Sequence, residues 1–341
     1  HPEGRELCLR LMDKVDVVVE NFRPGSLERM GLGYEQAGGR NPRLIYCSIS
    51  GYGQTGPSRD LPAMDLALQA ASGLISVTGV RGGETVRCGH SVADISAGMF
   101  GAFAIVMALY ARERTGAGQF LDVSMLDSMI AAMNSNFSNY LGSGRVPGPM
   151  GTAFTTIVPY RTFPTADRDI AIAVASDKLW EAFCPAIGRP ELAEDPRYST
   201  NALRVENRDR LEPLLTELFR SAPSLEWQRR LEQAGVPCTL VRTLEEVVED
   251  PQSAAREMFP VVPHPDAGPI RVPGLPVKMS ETPGSVRRAA PRLGEHTRTV
   301  LHSLLCLDEE TLDRLASQGV IFIAASAATS PTATPPTAST P

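Results

Sequence analysis

Short apolar runs alternate with stretches of helical periodicity through the first half of the chain. The runs at 15–20 and 44–48 are rich in Val, Ile and Leu and are bounded by Gly or Pro, which is typical of buried strands. The segment 24–36 between them has helical character. A strand, a helix and a second strand in this order predict a parallel α/β unit.

The alternation continues with a long helical stretch at 93–114. Its many Ala and Gly residues allow close packing, so we expect this helix to be buried. The Gly-Ala-Gly sequence at 116–118 is a typical helix stop. A strand is predicted at 119–124, and a further helix at 125–138.

The second half of the chain begins with a segment rich in Gly and Pro at 141–151, which predicts a loop or a domain boundary. A strand is predicted at 169–175. Amphipathic periodicity then predicts three helices near 178–187, 207–220 and 225–234.

The C-terminal region is less regular. The Pro-rich stretch 260–291 has no strong periodicity, and a last helix is predicted near 297–305. From residue 324 onward the chain is almost entirely Ala, Ser, Thr and Pro, a composition that cannot bury enough surface to offset its ordering entropy. We predict a large α/β domain at 1–145, a small α+β domain at 146–258, a C-terminal segment at 259–320 that returns to the large domain, and a disordered tail at 321–341.

Composition narrows the classes of function. The net charge of −6 lacks the basic surplus that nucleic-acid binders show, so we expect no nucleic-acid partner. The apolar runs are short and interrupted, so we expect no membrane partner. Six cysteines without a CxxC pair indicate reduced thiols and a cytoplasmic location. The scattered histidines indicate no metal site.

One candidate for catalysis is Asp127, which directly follows a predicted strand and lies in the first turn of the next helix. Active sites of open α/β sheets collect at the carboxyl ends of strands. A carboxylate there can act as a nucleophile toward a reactive acyl group. Acidic residues also favour helix N-termini because of the helix dipole, so the position alone leaves both interpretations open.

A candidate anion site follows the first predicted strand. Asn21, Phe22 and Arg23 open the loop, and Arg29 and Met30 follow within the next helix. Backbone N–H groups at the start of a helix and two guanidinium groups are suited to phosphates. Two solvated surface arginines would have the same pattern. The chain contains no GxGxxG or P-loop motif, so a dinucleotide or nucleoside triphosphate site has no direct support.

Several short segments, taken in order, carry a resemblance to a known family. They are Val-Glu-Asn-Phe-Arg-Pro-Gly at 19–25, Ser-Ile-Ser-Gly-Tyr-Gly at 48–53, Asp65 with Gln-Ala-Ala-Ser-Gly at 69–73, Asp94-Ile95, Gly118-Gln119 with Asp-Val-Ser-Met-Leu-Asp at 122–127, Pro159-Tyr160, and Leu-Gly-Glu-His-Thr at 293–297. Together they resemble the family III CoA-transferases, the group that includes formyl-CoA transferase and the carnitine CoA-transferases. The resemblance extends from about Asp13 to about Leu305.

This resemblance implies that CoA moves from an acyl-CoA donor to a carboxylic acid acceptor, with Asp127 as the nucleophile. The aspartate would form a mixed anhydride and then an aspartyl-CoA thioester. The CoA thioester is a substrate, and no permanently bound cofactor is implied. The segment with Asn21, Phe22, Arg23, Arg29 and Met30 matches the part of the family that contacts CoA. The loop 142–151 lies where some members carry a glycine-rich loop that shields the anhydride from water.

The same resemblance implies an architecture. The family has a Rossmann-like large domain and a smaller α+β domain, and two chains thread through each other as an interlocked homodimer. Family members carry a further N-terminal segment ahead of the point where this chain begins, so we expect the chain to be a fragment.

Two alternatives stay open. The related α-methylacyl-CoA racemases use a His in a Gly-His-Asp motif together with an Asp as paired acid and base. The corresponding positions here are Met64, in Ala-Met-Asp, and Asp94. Because a methionine thioether cannot transfer a proton, transfer of CoA is favoured over racemisation. The second alternative is a CoA-binding protein without catalysis.

Overall fold

A computed structural model describes residues 1–324, and most of the predicted tail at 321–341 lies outside them. Its strands are β1 (Val17–Glu20), β2 (Ile45–Ser50), β3 (Gln119–Ser124), β4 (Tyr160–Pro164), β5 (Asp169–Ala173), β6 (Cys238–Leu240), β7 (Val261–His264) and β8 (Gly268–Arg271). The helices are α1 (Pro2–Met12), α2 (Ser26–Arg29), α3 (Tyr34–Arg40), α4 (Asp65–Ala71), α5 (Leu74–Val77), α6 (Val92–Thr115), α7 (Met125–Ala132), α8 (Asn134–Ser143), α9 (Asp177–Ala186), α10 (Glu191–Glu194), α11 (Asn201–Glu206), α12 (Arg208–Phe219), α13 (Ser224–Gln233), α14 (Leu244–Val248), α15 (Pro251–Ala255), α16 (Thr297–Leu305) and α17 (Glu309–Ser317).

The chain forms two compact units. The first comprises 1–50, 100–123 and the residues from 257 onward, and the second comprises 51–99 and 124–256. The boundaries predicted from the sequence for the two domains and the returning segment stay a prediction.

The first unit contains a three-stranded sheet in the order β1-β2-β3. β1 and β2 are parallel, as the sequence predicts for this strand–helix–strand unit. The aromatic rings of Tyr34, Tyr46 and Phe120 pack against one another on this sheet, with centroids 5.5–6.0 Å apart. The fold is therefore mixed α/β with small sheets.

Two predicted helices are each divided in the structure. The prediction of one helix at 24–36 is wrong. Gly31 adopts a left-handed conformation with φ +71° and separates α2 from α3. The helix predicted at 125–138 ends as α7 at Ala132, and α8 begins at Asn134 after a break in helical geometry at Met133.

Helix α6 has the predicted extent, but the prediction that it is buried is wrong. Its small residues Ala93 and Ala97 are buried, whereas Phe103, Val106 and Met107 are 57–65% exposed. Small side chains thus pack inward while large apolar ones face outward in the single chain. Within residues 1–324, α6 is also the one helix that is long and apolar enough to span a membrane, judged by length and composition alone. The sequence predicts no such helix, because its apolar runs are interrupted by polar residues.

The sequence missed structure near the C-terminus. The strands β7 and β8 form an antiparallel hairpin within the Pro-rich stretch, and α17 follows the last predicted helix. Leucines of α1, α16 and α17 form one apolar cluster, against which Ile321 and Ile323 pack. The start of the predicted tail therefore belongs to this cluster.

The second unit has its main core between the antiparallel sheet β4-β5-β6 and the helices α9 to α13. Trp180, Phe183, Phe219 and Trp227 are buried there, and neighbouring ring centroids lie 4.9–6.2 Å apart. Aromatic side chains of this size supply most of the apolar area that a small core buries.

One charged side chain lies inside this core. The guanidinium of Arg204 is fully buried and donates to the carbonyl oxygens of Val158 at 2.8 Å and Tyr198 at 3.0 Å, and to a carboxylate oxygen of Asp177 at 2.9 Å. It also lies over the ring of Trp180, 5.0 Å from the centroid. Each of the three nitrogens of the buried guanidinium therefore has a hydrogen-bond acceptor.

We predict that Arg204→Met lowers the free energy of unfolding by at least about 3 kcal/mol, because two buried carbonyl groups lose their donor. Urea denaturation followed by tryptophan fluorescence would measure the change. Arg229→Met is the matched control, since Arg229 is exposed on α13. Equal midpoints for the two variants would contradict the prediction.

Candidate active site

Asp127 lies in the first turn of α7, as the sequence predicts. Ser124 caps this helix, and its hydroxyl oxygen accepts a hydrogen bond from the Asp127 N–H at 3.1 Å. The cap fixes the backbone, and Asp127 is exposed. Asp127 is therefore a surface-accessible carboxylate at the positive end of a helix dipole.

The N-terminus of α7 is held against the glycine loop at 51–53. The N–H of Leu126 donates to the carbonyl oxygen of Gly51 at 3.0 Å. A Cβ atom at Gly51 would lie 2.1 Å from the Cβ of Ala63, which no side chain can tolerate. Gly51 is thus required for the close approach of the chain at this point.

Helix α4 carries a buried polar network that the sequence did not reveal. The side-chain amide of Gln69 is fully buried; its nitrogen donates to Asp65 at 2.7 Å, and its oxygen accepts from the Cys88 N–H at 2.8 Å. Asp65 in turn accepts from the N–H of Ala93 at 2.9 Å, in the first turn of α6. These bonds fasten the segment 88–93 to α4, which also packs against α7.

Asp94 follows this fastened segment directly. It is exposed in the first turn of α6, and partial burial together with the nearby negative charge of Asp65 raises its pKa, with the Ser91 hydroxyl acting in the opposite sense. Carboxylates whose pKa is shifted by burial and a like charge are common at functional sites. The structure thus adds a second carboxylate to the one predicted from the sequence.

The chain before this segment forms a small hairpin. The N–H of Val86 donates to the carbonyl oxygen of Thr78 at 2.9 Å, and that of Val80 donates to Glu84 at 3.0 Å. A Cβ at Gly79 would lie 2.2 Å from the Glu84 carbonyl oxygen, so only glycine fits there. Arg87 lies between this hairpin and the fastened Cys88. Its side chain is exposed, and its guanidinium donates to the carbonyl oxygen of Cys88 at 2.9 Å.

The loop predicted to shield the reaction lies next to this hairpin. The N–H of Gly151 donates to the carbonyl oxygen of Gly79 at 2.7 Å. Val146 and Pro147 of the loop line a cavity of about 230 Å³ together with residues of α5 and α8. The loop is therefore anchored at one end and borders a partly open cavity, but its role as a shield stays a prediction.

The predicted CoA-contacting residues lie in the first unit, in the loop after β1 and around α2. Asn21 donates to the carbonyl oxygen of Ile49 at 2.7 Å, and the Phe22 N–H donates to the carboxylate of Glu20 at 2.7 Å. These bonds fasten the loop to the sheet.

The side chains of this segment are available to a ligand. Phe22 is 56% and Met30 is 55% exposed, and Arg23 is exposed as well. The guanidinium of Arg29 donates to the hydroxyl of Ser26 at 3.1 Å. Two apolar and two cationic side chains therefore surround one short helix.

The structure thus places the predicted site residues in two units, with Asp127 in the second and the predicted CoA segment in the first. Arg87 was not singled out by the sequence, and Gln69 was named only within the segment 69–73, because the contacts of both involve a loop that returns to α4. Within residues 1–324, no group of three His, Cys, Asp or Glu residues is placed to hold a metal ion.

Comparison with known proteins agrees with the resemblance seen in the sequence. Residues 1–297 match CoA-transferase family III. The chain is 37% identical to mouse succinyl-CoA:glutarate CoA-transferase over 94% of its own length and 73% of the relative's. It is 39% identical to acetyl-CoA:oxalate CoA-transferase of Acetobacter aceti over 85% of its length and 74% of the relative's.

A solved structure is similar as well. The crystal structure of a CAIB/BAIF family protein from Brucella suis superposes with a TM-score of 0.76 at 36% sequence identity, covering 89% of this chain and 79% of that protein. The match in sequence extends over most of the chain, and the match in fold includes both of its units. The chain belongs to CoA-transferase family III.

Proposed function

We propose that this chain transfers coenzyme A from an acyl-CoA donor to a carboxylic acid acceptor, and that both acids are dicarboxylic. The observation that carries the proposal is the family match over residues 1–297. The mouse relative is named for succinyl-CoA and glutarate, which are both dicarboxylic, and this pair supports the proposal. The Acetobacter relative is named for a dicarboxylic acceptor, oxalate, and a monocarboxylic donor, acetyl-CoA. Transfer between two such acids needs a nucleophile, a CoA site and a means of recognising the second carboxylate.

The reaction proceeds through an aspartate. Its carboxylate attacks the donor thioester, giving a mixed anhydride and the CoA thiolate. The thiolate attacks the aspartyl carbonyl, which releases the donor acid and leaves an aspartyl-CoA thioester. The acceptor carboxylate then displaces the thiolate to form a second anhydride. The thiolate finally attacks the acceptor's acyl carbonyl, which gives the new acyl-CoA and regenerates the aspartate.

Two carboxylates are candidates for this nucleophile. Asp127 is the residue that the sequence predicts, and it has an accessible position at a capped helix N-terminus. Asp94 has the electrostatic environment of a reactive group, with a raised pKa and a neighbouring carboxylate. It also occupies the position of the catalytic Asp in the related racemases. A more basic carboxylate is the better nucleophile once it is ionised, which supports Asp94.

Racemisation is the less favoured activity. At the position of the racemase histidine, Met64 carries a thioether and is 78% exposed. It offers no proton for exchange at the α-carbon. Deuterium wash-in at the α-position of a 2-methylacyl-CoA at a useful rate would reverse this preference.

The segment after β1 is our proposed CoA site. Arg23 and Arg29 supply guanidinium groups for phosphates, and the exposed side chains of Phe22 and Met30 supply flat or flexible apolar surface for the adenine ring. An interlocked homodimer and a Rossmann-like large domain are further proposals that follow from the family resemblance. A cytoplasmic location is a further proposal, which rests on the six cysteines without a CxxC pair.

We predict that replacing the nucleophile by Asn lowers kcat by a factor on the order of 10⁴ or more, because the covalent path is lost. Asp94→Asn and Asp127→Asn should be compared, and we expect the larger loss for Asp94→Asn. Trapping with hydroxylamine during turnover, followed by peptide mass spectrometry, would locate the hydroxamate on the nucleophile itself. Retention of a tenth of the activity by both variants would refute an aspartyl intermediate at either residue.

The pH dependence offers a separate test of Asp94. The nucleophile must be ionised, and its pKa is raised, so we expect the acid limb of kcat/KM to lie above the usual range of an aspartate. Asp65→Asn removes the neighbouring negative charge and should move the acid limb to lower pH. Asp60→Asn removes a charge from an exposed loop and should leave the limb in place. An unchanged limb in Asp65→Asn would argue against Asp94.

For the CoA site, we predict that Phe22→Ala and Arg29→Met each weaken CoA binding about tenfold, through lost packing and a lost phosphate contact. Isothermal titration calorimetry with free CoA would measure the affinity. Arg287→Met, at an exposed position of the same unit, is the control. Affinity equal to that of the parent protein in both test variants would exclude this segment.

A further inference from the structure

The backbone around Arg87 is fixed on both sides. On the N-terminal side, the hairpin is closed by the bond from Val86 to Thr78 at 2.9 Å. On the C-terminal side, the N–H of Cys88 donates to the buried amide of Gln69 at 2.8 Å, and the carbonyl oxygen of His90 accepts from the same side chain at 3.3 Å. The backbone of Arg87 is therefore held at a defined place, from which its exposed side chain extends.

The guanidinium of Arg87 carries a positive charge that is not paired with a carboxylate among residues 1–324. Among the described residues no carboxylate pairs with Arg87, whose one hydrogen bond runs to the carbonyl oxygen of its neighbour. Arg81, six residues earlier, shows the contrast, because it pairs with the carboxylate of Asp209. Most guanidinium groups of the second unit are paired in this manner. Arg87 thus combines a fixed backbone with a guanidinium that is not paired with a carboxylate in the part of the chain that the structure describes.

Arg87 and the candidate nucleophile Asp94 lie at the two ends of one short segment of the chain. The bonds made by Gln69 and Asp65 hold the segment from Cys88 to Ala93 as one piece on α4. Arg87 precedes that piece and Asp94 follows it. The same helix packs against α7, which carries Asp127. A cation and the two candidate nucleophiles are therefore positioned by one helix.

We propose that Arg87 binds the carboxylate at the far end of the dicarboxylic acyl group and so selects dicarboxylic over monocarboxylic substrates. The inference rests on the proposed function, and it assigns a residue to the recognition of the second carboxylate. A planar guanidinium pairs with a carboxylate through two parallel hydrogen bonds, which a point charge cannot reproduce. A monocarboxylic acyl group would leave this cation without its partner.

The test compares two donors of similar length, succinyl-CoA and butyryl-CoA, with glutarate and pentanoate as the respective acceptors. For each protein the measured quantity is the ratio of kcat/KM for succinyl-CoA to that for butyryl-CoA. We expect Arg87→Met to lower this ratio about 10- to 100-fold, with most of the loss on the succinyl-CoA side. Arg87→Lys keeps the charge without the bidentate geometry, and its ratio should be intermediate.

Arg229→Met is the matched control, because it removes an exposed arginine of the same unit that is placed on α13. Its ratio should equal that of the parent protein. An unchanged ratio in Arg87→Met, or an equal loss with both donors, would overturn the assignment. Failure of the parent protein to transfer CoA from either donor would instead refute the proposed function, and the assignment with it.

Discussion

The candidate site depends on one buried amide. Gln69 has no contact with solvent, and the cost of burying its polar atoms is offset only because each of them has a partner. Those partners belong to a loop and to an aspartate that reaches the start of α6. Satisfying this single side chain therefore orders a loop, a helix N-terminus and the charges attached to them. As a result, the backbone positions from which the side chains of Asp94 and Arg87 extend are fixed as well.

Two buried polar side chains of the second unit, Arg204 and Gln69, act differently. Arg204 is a cation that joins distant carbonyl groups within the aromatic core of the second unit, so its contribution is to stability. Gln69 is neutral and can both donate and accept, so it can connect an acid to a backbone N–H without adding a charge. A charged residue at position 69 would alter the electrostatic field at Asp94. The neutral amide of Gln69 adds no charge, so the nearby negative charge is that of Asp65.

Regular elements were predicted well where one periodicity dominated. The strand 119–124 and the long helix α6 have the predicted bounds within a residue or so, because apolar spacing and a glycine stop agree there. The helix at 24–36 was divided because Gly31 takes a positive φ, which composition alone does not announce. The β7–β8 hairpin was missed because prolines interrupt the alternation of apolar and polar residues from which strands are predicted.

The site shows the same limit. Asp127 could be named as a candidate from the sequence because it follows a strand, a relation that is local in the sequence. Gln69 and Arg87 depend on contacts between residues about twenty positions apart, and the pKa of Asp94 is raised by partial burial and by its neighbour Asp65. The burial of α6 was predicted wrongly for a related reason. Small residues indicate that one face can pack closely, but they do not specify what covers the other.

The path of the chain has a consequence for the order of folding during synthesis. The aromatic core of the second unit is built from one continuous stretch of about eighty residues, so it can form soon after that stretch leaves the ribosome. Helix α1 must wait much longer. Its contacts to α16 and α17 join residues 295 and 311 positions apart, so these contacts form only after residues 305 and 314 have been synthesised. The leucines of α1 therefore pack against α16 and α17 later than the aromatic core of the second unit can form.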